Sequence, residues 1–407
     1  MLAYAGGAIL FITYLITLTL TQDIDNKALV SLLDPFGFGT YNNIIEYWTP
    51  EEQNTLMVPF KGMLVWNRVL WVGLGLTALL YTLFRFDFQR FLSRSYRTKK
   101  RKNLEEDTKG SAIHTRIPEV AKVYSNALNV KLLFKLAIIE FKNIIRDNFF
   151  IAILVAAVLF LFFGAWFGFP VYGTPSLPLT YYMLEVKDFE FIILIFVLIV
   201  FMTGEVLHRE RNVNYDQIFG SLPIPNGIIY GSKFLALTFV SFLLVNLILI
   251  SGVFNQVIKG YFNFEFDKYF TDLYLIEFPK YIIFVMLAFC VHSLVTKKFI
   301  GHVIAIAIWA TLFGLNSFLD VDNNLYLYSY APGYTVSDMN GFGHFGTSLF
   351  WFRLYWLAFG AILTFVGFLF WKRGTDSGRK ARLQIARGRL KVSTLSSIVL
   401  LVVIWLG

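Results

Sequence analysis

Residues 192–233 read IILIFVLIVFMTGEVLHRERNVNYDQIFGSLPIPNGIIYGSK, and this stretch decides the class of fold. An apolar run begins near residue 189, ends in a short charged segment, and is followed by a second apolar run that continues to about residue 254. A helix of about 20 apolar residues is long enough to cross the roughly 30 Å hydrocarbon core of a bilayer. Two such runs joined by a charged turn predict a helical hairpin in a membrane protein.

The composition of the whole chain agrees with that prediction. Of 407 residues, 57% are hydrophobic, 18% are aromatic and 15% are charged, and the mean hydropathy is +0.60. Soluble globular proteins carry about 25% charged residues, which excludes a soluble enzyme. The one cysteine, Cys290, lies in an apolar run, so a disulfide framework and a thiolate metal site are excluded as well.

The apolar runs predict an all-α polytopic membrane protein with about eight full transmembrane helices. The predicted spans are residues 3–20, 63–84, 149–168, 189–208, 229–254, 279–296, 299–320 and 350–371. A ninth run begins near Thr394 and reaches Gly407. At about 1.5 Å per residue it measures only about 21 Å, so we expect the chain to be truncated within this last span.

The positions of the charges predict which loops face the cytoplasm. Between Arg85 and Arg146 there are fifteen Lys and Arg against six Asp and Glu, and residues 372–391 add eight basic residues. Residues 21–62 carry two Lys against six acidic residues. The positive-inside rule places the two basic segments and the N-terminus in the cytoplasm. We therefore interpret the net charge of +9 as a topology signal, with membrane lipids and not nucleic acid as the partner.

An internal repeat relates the second and the eighth spans. Both begin with the pattern L-x-W-x-R-x-x-W-x-x-x-G, and the two copies are 285 residues apart. The repeated residues are Trp66, Arg68 and Trp71 in the first copy and Trp351, Arg353 and Trp356 in the second. One interpretation is a duplicated transmembrane unit, and the alternative is that Trp and Arg merely anchor two helices at the membrane interface.

The duplication predicts the domain organisation. Residues 1–84 would be the last two spans of a first transmembrane half, and residues 149–372 a complete second half of six spans. Residues 85–128 and 373–393 would be basic cytoplasmic linkers, and residues 394–407 the start of the truncated span.

Residues 129–148 have the pattern of an amphipathic helix. An apolar arc lies beside a basic stripe formed by Lys131, Lys135, Lys142 and Arg146. Such a helix lies in the membrane interface with its basic side toward the headgroups, which predicts an elbow helix. The alternative is an ordinary extension of the following span.

The turn after residue 203 combines charges with two prolines. Glu205 and Arg209 are spaced for an i,i+4 ion pair, and Pro223 and Pro225 are expected to end a short helix before the chain returns to the bilayer. A short charged helix at the inner face is suited to a partner's cleft, although a solvated connector has the same pattern.

The order of these elements resembles the transmembrane subunit of type-2 ABC exporters. The shared features are an elbow helix, a span, an outer loop, a span, G-E…R-E-R…S-L-P-x-P, and four further spans. In that family the turn is the coupling helix that docks on the ATPase. The resemblance implies that the ATPase contacts are Glu205, Arg209, Glu210, Arg211, Asp216, Leu222, Pro223, Pro225 and Lys233. ATP and Mg²⁺ are then expected on a partner ABC ATPase subunit, because this chain has no G-x-x-x-x-G-K-[ST] motif.

A narrower resemblance covers nearly the whole chain. The sequences LLDPFG at residues 32–37, YWTP at 47–50 and SDMNGFGHF at 337–345 are similar to a bacterial family of fused proteins. In that family two exporter-type halves precede an extracytoplasmic zinc aminopeptidase related to alanyl aminopeptidase. This chain has no H-E-x-x-H, so zinc and peptidase activity are expected only in a missing domain. No catalytic residue and no metal ligand is predicted in these 407 residues.

Several polar residues near the membrane are weaker candidates. His292, His302 and Asn316 could mark a proton or substrate pathway, although packing is the more common role of such residues. Asp34 has the setting of a turn or helix-start residue. The outer loop 321–348 supplies the gate candidates Tyr330, Asp338, Asn340 and His344. This loop could cap a translocation path, seat an extracytoplasmic domain, or pack its aromatic residues at the interface.

Together these features favour the permease subunit of an ATP-driven exporter in the bacterial inner membrane. Such a subunit works by alternating access, and a second permease half or the missing peptidase domain is a further possible partner. The alternative is a non-transporting anchor or scaffold for the aminopeptidase. An enzyme acting on lipid-linked sugars ranks last, because the external loops show no convincing set of catalytic residues.

Overall fold

The structure is a computed structural model. It describes residues 10, 13–14, 17, 27–85, 125–167, 177–187, 191–213, 215–319, 323–336, 340–374, 379–390 and 392–406. The chain divides into two compact units, one of residues 9–124 and one of residues 125–407 with residues 1–8. All the regular elements within the described ranges are helices, so the predicted all-α fold is confirmed.

The smaller unit holds a tight turn against its long helix. Its helices are α1 (Lys27–Leu33), α2 (Phe38–Ile45), α3 (Pro50–Thr55) and α4 (Met63–Arg85). Asn67 on α4 is fully buried, and its Nδ2 donates to the carbonyl oxygens of Ser31 and Asp34, each at 2.8 Å. The Asp34 carboxylate accepts from the backbone N–H groups of Phe36 (2.9 Å) and Gly39 (2.6 Å). Asp34 therefore stabilises the start of α2, the role expected of it.

The larger unit contains the remaining helices. These are α5 (Asn126–Ile145), α6 (Asn148–Phe167), α7 (Thr180–Glu185), α8 (Ile192–Asn212), α9 (Asp216–Ser221), α10 (Asn226–Ile258), α11 (Phe266–Phe270), a π-helical segment (Thr271–Glu277), α12 (Phe278–Leu294), α13 (Lys298–Leu319), α14 (Phe345–Phe370), α15 (Arg379–Arg389) and α16 (Val392–Leu406). Side chains from α8, α10 and α12 form most of the buried apolar core.

Six helical segments in the described residues are long and apolar enough to cross a membrane. They are Met63–Phe84, Ile192–Asn212, Asn226–Ile258, Phe266–Leu294, Lys298–Leu315 and Phe345–Phe370. Two bent pairs, α5 with α6 and α15 with α16, raise the number to as many as eight. These helices support a multi-pass membrane protein. The first predicted span, residues 3–20, lies largely outside the described residues.

Helices α12 and α14 pack closely because two glycines remove side chains from their interface. A Cβ atom at Gly367 would lie 2.6 Å from the Tyr230 hydroxyl oxygen and 3.2 Å from the Cys290 Cα. A Cβ atom at Gly360 would lie 2.6 Å from the Met286 sulfur. Small residues at such positions let transmembrane helices approach each other closely.

Replacing Gly367 with Ala should therefore destabilise the larger unit. The added methyl group contacts backbone at Cys290 and displaces the Tyr230 hydroxyl, which donates to the Thr364 carbonyl oxygen at 3.1 Å. We expect a loss of about 1–3 kcal/mol, the usual cost of overpacking, seen as a lower midpoint of thermal unfolding in detergent. Gly346→Ala in the same helix is the control, since nothing lies within 4 Å of its Cβ position. Equal midpoints for the two variants would contradict the close packing.

Candidate functional site

The turn between α8 and α10 is the first candidate site. Helix α8 continues to Asn212, beyond the predicted end of its span, and the six-residue helix α9 follows. Leu222 is extended, and Pro223 and Pro225 lie between α9 and the start of α10. The short helix expected from the sequence is therefore present between the two long helices.

A buried lysine on α10 ties this turn to α5. Lys233 is 1% exposed, and its Nζ lies 2.7 Å from Glu210 Oε1 and 3.7 Å from Glu140 Oε1. The same ammonium group donates to the Val206 carbonyl oxygen. Arg209 on α8 forms an ion pair with Glu140. Three of the predicted ATPase contacts, Arg209, Glu210 and Lys233, thus form a network inside the unit.

Glu140 was not a candidate in the sequence analysis, yet it is the centre of this network. It is the only acidic residue between residues 129 and 145, in a segment otherwise rich in Lys and apolar residues. That isolated negative charge was the signal that could have identified it.

The expected ion pair between Glu205 and Arg209 is wrong. Lys298, at the start of α13, forms an ion pair with Glu205, and Glu140 forms one with Arg209. The spacing along α8 allows the local pair, but such pairs contribute only about 0.2–0.5 kcal/mol. Partners on neighbouring helices replace it because packing brings them closer.

Arg373 holds the other side of the turn. Its Nη1 donates to the Ile224 carbonyl oxygen at 2.6 Å, and its Nη2 donates to those of Phe219 (3.1 Å) and Leu222. Burial lowers the pKa of the Arg373 guanidinium from its ordinary value. The sequence predicts that Arg373 lies in a basic linker and indicates only a topology role for its charge. Three carbonyl acceptors in one turn show that it also fixes the shape of that turn.

Much of the exposed surface of the turn is apolar. We call it the turn surface and define it by Val213, Tyr215, Ile218, Leu222, Pro223 and Pro225, all exposed. Ile218 is 60% exposed and Val213 66% exposed. Asp216 is half-buried, and Arg211 donates to the Lys372 carbonyl oxygen at 3.3 Å. In the predicted contact set, most of the charged side chains have partners within the unit, whereas Leu222, Pro223 and Pro225 are exposed.

Three histidines pack together behind the turn. The ring centroids of His208 and His292 are 5.6 Å apart, and those of His292 and His302 are 4.9 Å apart. A Cβ atom at Gly301 would lie 2.3 Å from His292 Nδ1, so this glycine makes room for the rings. No group of His, Cys, Asp and Glu within the described ranges has the geometry of a metal site. A proton or substrate pathway through His292 and His302 stays a prediction, as does one through Asn316 near the end of α13.

Helix α5 has the features of the predicted elbow. Its axis is bent by 70° from that of α6, and the side chains of Lys131, Lys135, Lys142 and Arg146 are exposed. Part of the apolar side, including Ala137 and Ile144, is buried within the unit, where α5 packs on α10. The position of α5 in a membrane interface stays a prediction.

The outer loop is attached to the helices by its tyrosines. The Tyr334 hydroxyl donates to Asp272 Oδ1 at 2.5 Å, and the Tyr328 hydroxyl donates to the Ile283 carbonyl oxygen at 2.8 Å. Of the gate candidates, Tyr330 lines a cavity beneath this loop. Asn340 and His344 are exposed and do not line this cavity, and Asp338 lies outside the described residues.

The repeated residues make comparable contacts in the two copies. Arg68 donates to the Phe36 carbonyl oxygen at 2.5 Å, and Arg353 donates to the Ser329 carbonyl oxygen at 3.0 Å. Trp66 and Trp351 are both exposed. Trp71 is half-buried, whereas the Trp356 Nε1 donates to the Tyr330 carbonyl oxygen at 2.9 Å. Each arginine thus fixes the loop that precedes its own span.

Comparison with known proteins gives one result for this region. Residues 136–315 match the family model described as ABC-2 family transporter protein. The match supports an ABC-2-type permease domain. It begins in α5 and ends in α13, so it includes Glu140, the turn and Lys233, and it leaves Arg353 and Arg373 outside. A comparison with curated proteins gave no match.

The family supports a general role for the matched segment. An ABC-2 permease domain is a non-catalytic membrane component, and it generally works with an ABC ATPase subunit. The match therefore supports a transmembrane permease subunit of an ABC transporter.

Replacing Lys233 with Met should strongly destabilise this unit. The variant leaves Glu210 without its buried cation, and breaking a buried ion pair by removing one partner costs about 3–5 kcal/mol. Thermal unfolding of the purified protein measures the loss. Lys135→Met, on the exposed side of α5, is the matched control and should change the stability by less than about 0.5 kcal/mol. A stable Lys233→Met protein would show that the network does not hold the turn.

Proposed function

We propose that this chain is the permease subunit of an ATP-driven exporter and that the ATPase docks on the turn surface. The observation that carries the proposal is the combination of the ABC-2 match with an exposed apolar surface on the turn inside the matched segment. Exposed apolar residues that lie together outside the bilayer are typical of protein interfaces. The proposed contacts therefore include Ile218 and Leu222, while the charges behind them keep the turn in place.

The contacts behind the turn surface suit it to transmit force. Lys233 connects the turn to α5 and α10, and Arg373 connects it to the end of α14. A movement of the docked ATPase would shift these helices together, because buried ion pairs and carbonyl contacts resist separation. Alternating access needs such a rigid connection between the ATPase and the membrane helices.

Replacing Ile218 with Glu should abolish association with the ATPase. Ile218 is 60% exposed, so a charge there costs little folding stability but would be buried without a partner in a docked complex. Co-purification of the tagged permease with the ABC ATPase measures the association. Leu383→Glu on α15 is the control, since Leu383 is similarly exposed but lies outside the turn surface.

The same experiment separates the proposed permease from the alternative scaffold. Loss of the ATPase with Ile218→Glu and its retention with Leu383→Glu would support docking on the turn. Retention of the ATPase by both variants would contradict the proposed docking surface. If the unaltered chain does not bind an ATPase, that result favours the alternative function, a non-transporting scaffold.

We further propose that the chain derives from a permease–aminopeptidase fusion in the bacterial inner membrane. The support is the sequence similarity of residues 32–37, 47–50 and 337–345 to that family. In this proposal zinc and the peptidase belong to a separate domain outside the membrane, and a second permease half completes the transport path. Peptidase activity would then require a chain that contains H-E-x-x-H.

The proposed topology places the turn in the cytoplasm and the loop 323–336 outside. Cys290 is the only cysteine and is buried, so Cys290→Ala gives a cysteine-free background. In that background Thr335→Cys should react with a membrane-impermeant maleimide in intact cells. Ser221→Cys, which is also exposed, should react only after permeabilisation. The reverse pattern would invert the proposed orientation of the whole unit.

A further inference from the structure

The cavity beneath the outer loop lies at the opposite end of the larger unit from the turn. Helix α8 begins at this cavity with Ile192 and reaches the turn at Asn212, which at about 1.5 Å per residue is about 30 Å away. The cavity has a volume of about 440 Å³ and is lined by residues of α8, α12, α13, α14 and the loop. This volume is within the roughly 300–1,000 Å³ of small-molecule sites.

One wall of the cavity is apolar and aromatic. It is formed by Phe284 on α12 and by Trp309 and Phe313 on α13. The rings of Trp309 and Phe313 are stacked, with centroids 5.7 Å apart. Such a wall favours the hydrocarbon or aromatic part of a ligand.

The cavity is also lined by three charged side chains, Glu277, Lys280 and Arg353, of which Glu277 and Arg353 are nearly excluded from solvent. Glu277 is 2% exposed and forms an ion pair of 3.1 Å with Lys280, and Arg353 is 6% exposed. Among the described lining residues there are thus two cations and one carboxylate. The neighbouring Lys187 and Asp272 form a buried ion pair of 2.9 Å and together add no net charge.

Arg353 carries the unmatched positive charge. Its Nε donates to the Ile276 carbonyl oxygen at 3.1 Å and its Nη1 to that of Ser329 at 3.0 Å. Among the described residues, no carboxylate forms an ion pair with it. Glu277 and Asp272 act on the guanidinium electrostatically, but each is paired with a lysine, so the buried charge of Arg353 is only partly compensated, and such a charge is costly. An anion in the cavity would remove that cost.

We propose that this cavity binds an anionic amphiphile, with its phosphate or carboxylate head between Arg353 and Lys280 and its apolar part against Trp309 and Phe313. Arginine and lysine are the side chains that bind such heads in proteins. The proposal goes beyond the docking of an ATPase, because it concerns the opposite end of the unit and holds for the chain alone.

The test is equilibrium binding of radiolabelled octyl phosphate to the purified full chain in an uncharged maltoside detergent, with protein-free micelles as the background. We expect saturable binding that Lys280→Gln weakens about tenfold, the effect of one charge-assisted hydrogen bond. Glu277→Gln removes the competing carboxylate and should tighten binding several-fold. Lys259→Gln is the matched control: this lysine follows α10 at the same end of the unit, outside the cavity lining, and should leave binding unchanged.

The two variants are expected to change the affinity in opposite directions, which distinguishes a charge effect from loss of structure. Damage to the fold would weaken binding in both, so weakening by Glu277→Gln in a protein of unchanged thermal stability would overturn the proposal. If Lys280→Gln does not fold, tightening by Glu277→Gln still decides the question. If octyl trimethylammonium binds equally well, the proposed preference for an anionic head is contradicted. If inorganic phosphate alone binds equally well, the proposed contribution of the apolar part is contradicted. Arg353 is left unaltered because its hydrogen bonds also hold the loop.

Discussion

The buried ammonium group of Lys233 is the interaction on which the turn end of the larger unit depends. A cation that is 1% exposed is tolerable only where partners replace water. Here the partners are Glu210 and the Val206 carbonyl on α8 and Glu140 on α5, so one side chain of α10 joins three helices. Without the Lys233 ammonium group, the carboxylates of Glu140 and Glu210 would be left together with only Arg209 between them. The Lys233 charge therefore contributes to the positions of both α5 and the turn.

Because most of the charges are paired inside the unit, the turn exposes apolar side chains, which the proposed docking of an ATPase would use. Keeping the charges in internal ion pairs and the apolar side chains exposed has a physical advantage. If the ATPase competed for Arg209 or Glu210, docking would weaken the network that holds the turn, and movement would not reach the helices. A partner that contacts Ile218 and Leu222 leaves the network intact. Arg373, just after the end of α14, adds support to the turn. Its guanidinium binds the carbonyl oxygens of Phe219 and Leu222.

The helices could be predicted from the sequence because a bilayer requires long apolar runs, and the predicted span 299–320 agrees closely with Lys298–Leu319. The span predicted at 279–296 agrees with α12 (Phe278–Leu294), but the helical segment extends back to Phe266 through α11 and the π-helical segment. The charges of Lys268, Asp272 and Glu277 interrupt the apolar run, but each pairs with another residue within the fold. Lys268 and Glu277 pair with residues three positions away, but Asp272 pairs with Lys187, and spacing cannot predict a partner so far away in the chain. For the same reason spacing could identify the charged turn but not Glu140 or Lys298 as partners.

The contacts of the repeated arginines favour duplication over two independent interface anchors. A tryptophan at an interface needs no specific partner, and the exposed Trp66 and Trp351 fit either interpretation. An arginine that only anchors a helix would extend toward headgroups. Arg68 instead donates to the carbonyl of Phe36, directly before Gly37 with its φ of +79°, and Arg353 donates to that of Ser329, whose own φ is +70°. In both copies the arginine thus binds a left-handed turn in the loop before its span. Interface anchoring does not require these contacts, so they favour duplication, which stays a prediction.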